Sequence, residues 1–287
     1  MENHKIIQQI KASNDLPEVP KSFGEILKML LDPCNFDMDA CIEKFSYHPQ
    51  LENALIQVLN DHSKLKREIV SIKDAVVYLG AKNARIIAIA YVTRLLLPYR
   101  KGKTQIFDHN IYLKHCIGTS IASSMIAEKT GLCDKDKMFI YGLIHDIGVI
   151  VLDVCFPEYL DKIYELQKNG VHQIVAEKIV LGGITHSEIG RWLCKEWGLP
   201  DEIAQIVGFH HTPFLSNQFT TEVQIIHLGD SISANYYEQL LGNKTAFIFS
   251  EKIMEALGVN KEFVNEIIRR LPKEVAKINQ IIEFKVL

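Results

Sequence analysis

Apolar residues along this chain recur mostly at helical spacing. Phe23, Ile26, Leu27, Leu30 and Leu31 fall at i, i+3, i+4, i+7 and i+8, one face of a helix. Asp37 is placed to cap a short helix carrying Cys41, Ile42 and Phe45. Pro49 suits the first turn of the next, with Leu51, Leu55, Val58 and Leu59 inward. Ser71, with Asp74 three positions later, starts a helix that Gly80 ends. Residues 81–97 continue as helix and stop before Pro98. The polar, basic stretch 99–105 then reads as a hinge between two halves.

The second half repeats the pattern. A long helix runs from Phe107 to Glu128 and closes near Gly131, and a strongly apolar one covers Asp136 to Leu152. Pro157 opens a helix ending near Gly170, and another runs to Leu181 before Gly182 and Gly183. His186–Trp197 is followed by Gly198, and the helix opened by Pro200 ends at His210-His211. Thr221–Leu241 is a further helix, Ser250 and Asn260 cap two more, and Pro272 starts the last. Strand alternation is confined to a weak candidate at 246–249. The expected fold is therefore all-α: two helical bundles, residues 1–100 and 106–240, with 241–287 as a helical extension.

Composition narrows the function classes. The net charge of −3 provides no general field for nucleic acid or anionic membrane, so no DNA or membrane partner is expected. The densest basic run, Arg100–Lys103, reads as a solvated connector. Lys82 and Arg85, near the helix start after Gly80, read as a solvated face rather than an anion site. None of the six cysteines (34, 41, 116, 133, 155, 194) forms a CxxC pair, which fits free thiols in a reducing cytoplasm. The first ten residues mix charged and polar groups with isoleucines, unlike a signal peptide. The apolar stretch 86–97 falls short of the roughly 20 residues that span a bilayer. With no sensor or DNA-binding motif in view, input and output are expected to pass through a partner.

The chemically informative residues are His115, His145, Asp146, His186, His210, His211 and Asp230, each on an expected helix or at its end. Imidazole nitrogens and carboxylate oxygens suit Fe, Mn or Zn, and an aspartate can bridge two cations through its two oxygens. Ligands from so many helices can meet only inside a bundle. Asp146 lies in the apolar run Tyr141–Gly148 (YGLIHDIG), where an unpaired charge would be costly. Two readings of it stand: a metal ligand, or a buried carboxylate capping backbone groups at a kink near Gly148. Other histidines (4, 62, 109, 172, 227) lack partners of fitting context. Trp192 and Trp197 read as core.

Read as an ordered set, these residues resemble a known family. His115, His145-Asp146 in LIHDIG and Asp230 follow the ligand order of the HD superfamily of metal-dependent phosphohydrolases. His186 and the pair His210-His211 are similar to the extra histidines of its HD-GYP branch. The surrounding phrases resemble the HDOD family more closely: LPEVP at 16–20, HPQL at 48–51 with His for the usual Asp, SIKDA at 71–75 and Leu79-Gly80. THSEIG at 185–190, WGLP at 197–200 and HHTP at 210–213 continue it, so the match covers roughly 16 to 235. The resemblance implies an HD-like second bundle and a cytoplasmic role in bacterial-type signalling through protein partners. It also implies a divalent metal centre, di-iron or manganese. One metal would be held by His115, His145, Asp146 and Asp230. The other would share Asp146 and take His186, His210 and His211.

Departures from the active HD-GYP branch point away from efficient catalysis. Val149 stands where a phosphate-contacting lysine is expected, and Ile111 stands where trinuclear members carry a glutamate four residues before His115. Thr212-Pro213-Phe214 replaces the segment that shapes the cyclic-dinucleotide pocket. The leading expectation is a regulatory module. The alternative is a metal-dependent phosphohydrolase or cyclic-nucleotide phosphodiesterase with Asp146 as its catalytic residue and a nucleotide as ligand. A metal- or oxygen-sensing switch is a third reading.

Overall fold

A computed structural model of the chain describes residues 4–13, 16, 21–31, 37–47, 49, 53, 56, 60, 68–79, 104–240 and 249–282. Among the described residues all regular structure is helical. The first part contributes α1 (Lys5–Ala12), α2 (Lys21–Leu31), α3 (Met38–Ser46) and α4 (Ile72–Leu79). Then come α5 (His109–Thr130), α6 (Lys135–Ile144), α7 (Ile147–Cys155), α8 (Pro157–Lys168) and α9 (Gln173–Val180). They are followed by α10 (His186–Glu196), α11 (Asp201–Phe209), α12 (Thr220–Leu240), α13 (Glu251–Leu257) and α14 (Lys261–Ile282). A 3-10 turn at Pro213–Leu215 separates α11 from α12.

Local chemistry explains most boundaries. Asp108 accepts from the backbone N–H groups of Asn110 and Ile111 at 2.8 and 3.1 Å, which starts α5. Asp134 does the same for α6 through Asp136 and Lys137, both at 2.9 Å. Thr185 and Glu188 form a reciprocal capping box at the start of α10. Asp37 caps α3 through Asp39 and Ala40, and the Ser71 hydroxyl accepts from the Asp74 N–H at 3.0 Å at the start of α4.

Helix α5 is the spine of the bundle, with α12 and α6 packed along it. Its partner α12 runs antiparallel: Ser233 Oγ donates to the His115 carbonyl at 2.8 Å, while Gly229 approaches Ser123 about two turns further along α5. Helix α14 packs against α5 and α12, and α10 lies against α7 and α11. Ile6, Ile7 and Ile10 of α1 and Ile26, Leu27 and Leu31 of α2 are buried in the same apolar cluster as Ile117, Ile144, Trp192 and Ile226. His4 Nε2 donates to the Gly182 carbonyl at 3.1 Å, and Lys11 Nζ lies 3.3 Å from Glu196. Trp192 and Trp197 are buried, as expected.

Two helical expectations are corrected. The run 136–152 is not one helix: α6 stops at Ile144, His145 and Asp146 form a bend, and α7 restarts at Ile147. Pro272 does not start a helix but lies inside α14. Its ring removes one backbone bond at a cost of about 3 kcal/mol, which burial of Leu271 and Val275 on the same helix offsets. Lys135–Cys155 is apolar and long enough by composition to cross a bilayer, but 83% of its most apolar window is buried inside the protein. The expected helix 81–97, the hinge 99–103, Lys82, Arg85, the side chains of Cys34, Cys41 and His62, and the strand candidate 246–248 lie outside the described residues.

Candidate metal centre

All seven residues singled out from the sequence meet in one buried place. His115 comes from α5 and Asp230 from α12, facing each other across the antiparallel pair. His145 and Asp146 occupy the bend between α6 and α7. His186 is the first residue of α10, and His210-His211 follow the last turn of α11. The bend needs Gly148. A side chain there would strike the His186 carbonyl, so glycine lets α7 cross the start of α10 in direct contact.

Asp146 lies at the centre and points its two oxygens in different directions. Oδ2 is 3.6 Å from His115 Nε2 and 3.5 Å from His145 Nε2. Oδ1 is 3.1 Å from His186 Nε2 and 3.2 Å from His210 Nε2. Asp230 Oδ1 closes the first group, 3.2 Å from His115 and 3.6 Å from His145. Its Oδ2 lies 3.7 Å from His211 Nδ1. Donor atoms of Asp146, His186, His210 and His211 are all within 4.8 Å of one another, as are those of His115, His145 and Asp146. Two donors each about 2.1 Å from one cation lie roughly 3–3.5 Å apart, which is the spacing seen here.

Several imidazoles have their tautomer fixed from outside. Nδ1 of His145 faces the Gly142 carbonyl at 2.8 Å, and Nδ1 of His210 faces the Val207 carbonyl at 2.9 Å. A carbonyl only accepts, so each Nδ1 carries the hydrogen and each Nε2 turns a lone pair inward. His186 Nδ1 donates to the Glu177 carboxylate at 2.6 Å. His186 and His210 bring their Nε2 atoms within 3.4 Å of each other. His145 Nε2, Asp146 Oδ1 and His211 Nε2 are buried without a hydrogen-bond partner among the described residues. Converging acceptors of this kind need a proton or a cation between them. The nitrogen and oxygen donor set fits a divalent ion of the Fe, Mn or Zn kind.

The electrostatics agree. Burial pushes the Asp146 carboxyl up, but the imidazoles of His145, His186 and His115 outweigh it and hold it well below the usual range. Asp230 is lowered in the same way, against its burial, by His115, His145 and His211. Burial would lower His115, yet Asp146 and Asp230 raise it to about 10. His186 is raised against its burial by Glu177 and Asp146. Burial lowers His210 despite Asp146, and burial with the neighbouring His210 pushes His211 well down. Some imidazoles thus hold protons where a cation would otherwise balance the carboxylates.

The supporting residues carry little signal in the sequence. Glu177 lies nine positions before His186 with no motif to mark it. His227, which has no partner of fitting context in the sequence, donates from Nδ1 to the His210 carbonyl at 2.7 Å and fixes the chain at the His210-His211 pair. Tyr112 donates from its hydroxyl to the Asp146 carbonyl at 3.1 Å. The position of Tyr112, one turn before His115, was the available signal. Val149 is buried, and Ile111 is partly buried against the core. Among the described residues, every ion pair made by Asp146 or Asp230 is with an imidazole.

Comparison with known proteins gives a consistent picture. The HDOD domain matches residues 16–213. An HDOD domain protein of unknown function from Geobacter sulfurreducens aligns with a TM-score of 0.72 at 21% identity, covering 96% of each chain. A candidate phosphohydrolase from Shewanella amazonensis gives 0.70 at 20% identity, covering 98% of this chain and 100% of that one. A candidate signal transduction protein from Marinobacter aquaeolei gives 0.74 at 18% identity, over 98% and 62% of the two chains. A Treponema pallidum protein is 22% identical over 200 residues, and the match spans 38% of its length. At these identities the solved structures share the fold.

Proposed function

This chain belongs to the HDOD family, and we propose that it is a signal-transduction module that holds one or two divalent cations in its helical bundle and acts through protein partners. The observation that carries the metal reading is the convergence of six nitrogen- and oxygen-bearing side chains around Asp146, whose two oxygens face separate imidazole groups. Buried acceptors with no partner are destabilising, and a cation relieves them. A bound cation would supply Lewis acidity and would lower the pKa of a coordinated water. The chain's own part is to hold the Nε2 lone pairs of His145, His186 and His210 inward, to span two positions with Asp146, and to exclude bulk solvent.

A second reading, metal-dependent phosphohydrolysis, is favoured by the same spanning carboxylate. Against efficient turnover stands the surrounding chemistry. Fast phosphoryl transfer needs cationic groups aimed at developing charge. Val149 is apolar, and the pairs of both aspartates are imidazoles. The test combines elemental analysis of the purified protein with hydrolysis of cyclic dinucleotides and a simple aryl phosphodiester after Mn(II) or Fe(II) loading. Stoichiometric metal with slow turnover supports the module. Turnover of about 1 s⁻¹ or more, abolished by Asp146→Ala, makes the enzyme reading primary.

A further inference from the structure

We propose that Glu177 is a positioning residue that gives the His186 side of the centre its affinity for a cation. This assignment rests on the two-metal reading above. Glu177 lies on α9, is almost wholly buried, and accepts three hydrogen bonds. Gln173 Nε2 and His186 Nδ1 donate to Oε1 at 3.1 and 2.6 Å, and the His186 backbone N–H donates to Oε2 at 2.9 Å. The bond to Nδ1 forces the Nε2 lone pair of His186 towards Asp146 and His210.

The two cation positions differ in charge, and Glu177 answers the difference. Around His115 and His145 stand two carboxylates, Asp146 Oδ2 and Asp230 Oδ1. Facing the inward Nε2 atoms of His186 and His210 the carboxylate oxygen is Asp146 Oδ1, and the other inward carboxylate oxygen on this side, Asp230 Oδ2, is further off, 3.7 Å from His211 Nδ1. A second divalent ion there would face neutral imidazoles and carboxylates that are both shared with the His115 side, so it is under-compensated in a low-dielectric interior. Glu177 supplies the missing charge through the ring of His186, and a carboxylate acceptor also makes the imidazole a stronger donor. The other two imidazoles with an outward Nδ1 bond, His145 and His210, use backbone carbonyls, which carry no net charge.

A purely structural role explains less. The capping box at the start of α10 serves the N–H groups of Thr185 and Glu188, and Glu177 Oε2 adds the His186 N–H, but helix capping does not call for the 2.6 Å bond from Oε1 to the His186 ring. Burying one is costly unless it is paired, and the ionisable partner of Glu177 among the described residues is His186.

The test is titration of the metal-free protein with Mn(II), followed by calorimetry and by electron paramagnetic resonance, which separates coupled pairs from single ions. Wild type should take two equivalents and show a coupled pair. Glu177→Gln should keep the first equivalent within about threefold and weaken the second by about 10–100-fold, leaving a single-ion spectrum at modest loading. Glu177→Asp keeps the charge but withdraws it from Nδ1, and should fall between, with about a tenfold loss of the second equivalent. A wild type that takes no second ion overturns the two-metal reading and this assignment together. A wild type that takes two, with Glu177→Gln unchanged, overturns this assignment alone. Where the Gln variant fails to fold, a Glu177→Asp variant indistinguishable from wild type overturns it.

Discussion

Replacing Gly148 with alanine should damage both the fold and the proposed metal centre, by an amount that follows from one helix crossing. A Cβ at this position would lie 1.9 Å from the His186 carbonyl oxygen, 2.7 Å from its carbon and 3.0 Å from Gly190 N. All three are backbone atoms, so no side-chain rotation relieves the contact. Restoring ordinary separation requires α7 and α10 to part by roughly 1.5 Å. Overpacking in a dense core costs about 1–3 kcal/mol, and the upper end applies where backbone meets backbone. For a chain of this size, about 3 kcal/mol lowers Tm by roughly 5 °C or more. The displacement also reaches the centre, because Asp146 is two residues before Gly148 and faces His186 at 3.1 Å. Ligand distances tolerate about 0.2 Å, so binding on the His186 side should fall at least about tenfold. Gly131→Ala is the control. It has open space around it but a φ of 67°, so it should lower stability by about 1 kcal/mol and leave metal binding alone. Thermal melting by circular dichroism and Mn(II) titration read both effects. A Gly148→Ala protein that melts within about 1 °C of wild type and binds metal normally would refute the argument.

Asp146→Asn should remove tight binding at both positions, since one oxygen serves each imidazole group, and plasma emission spectrometry of the purified variant checks it. The stability of metal-free protein should depend on alkaline pH through His115: its folded pKa of about 10 exceeds the ordinary imidazole value of 6.5, so its stabilisation is full below about 6.5 and is lost as pH rises through 10. Melting in chelator between pH 6 and 10 should show that decline, and metal-loaded protein should not share it. Uptake of Mn(II) near neutral pH should release protons from His115 and His186, measured as calorimetric heats that vary with buffer ionisation enthalpy; heats independent of buffer would contradict it. Ile7→Ala, at a fully buried position on α1, should destabilise by about 2–5 kcal/mol, and a denaturant midpoint unchanged from wild type would show that α1 is not part of the common core.

Local signals and long-range contacts divided the work of specifying this protein. The sequence determined the helical fold, because apolar spacing and caps act within one or two turns: Asp108, Asp134, Pro157 and the Thr185–Glu188 box each stop or start a helix from within it. It also made the candidate site residues legible, since an ordered set of His and Asp in apolar flanks is conspicuous wherever it folds. That the apolar run 136–152 breaks at His145-Asp146 depends on contacts distant in sequence: α7 crosses α10 at Gly148, and the Tyr112 hydroxyl takes up the Asp146 carbonyl at the bend. Pro272 stays inside α14 for a similar reason: burial of its neighbours outweighs a local preference. Glu177 and His227 could not be picked out beforehand, since a single acidic or imidazole side chain acquires its role from a partner on another helix. Nor does the order of residues say which oxygen of Asp146 faces which imidazoles. That depends on how six helices bring their ends and inner faces to one point, and long-range packing alone fixes it.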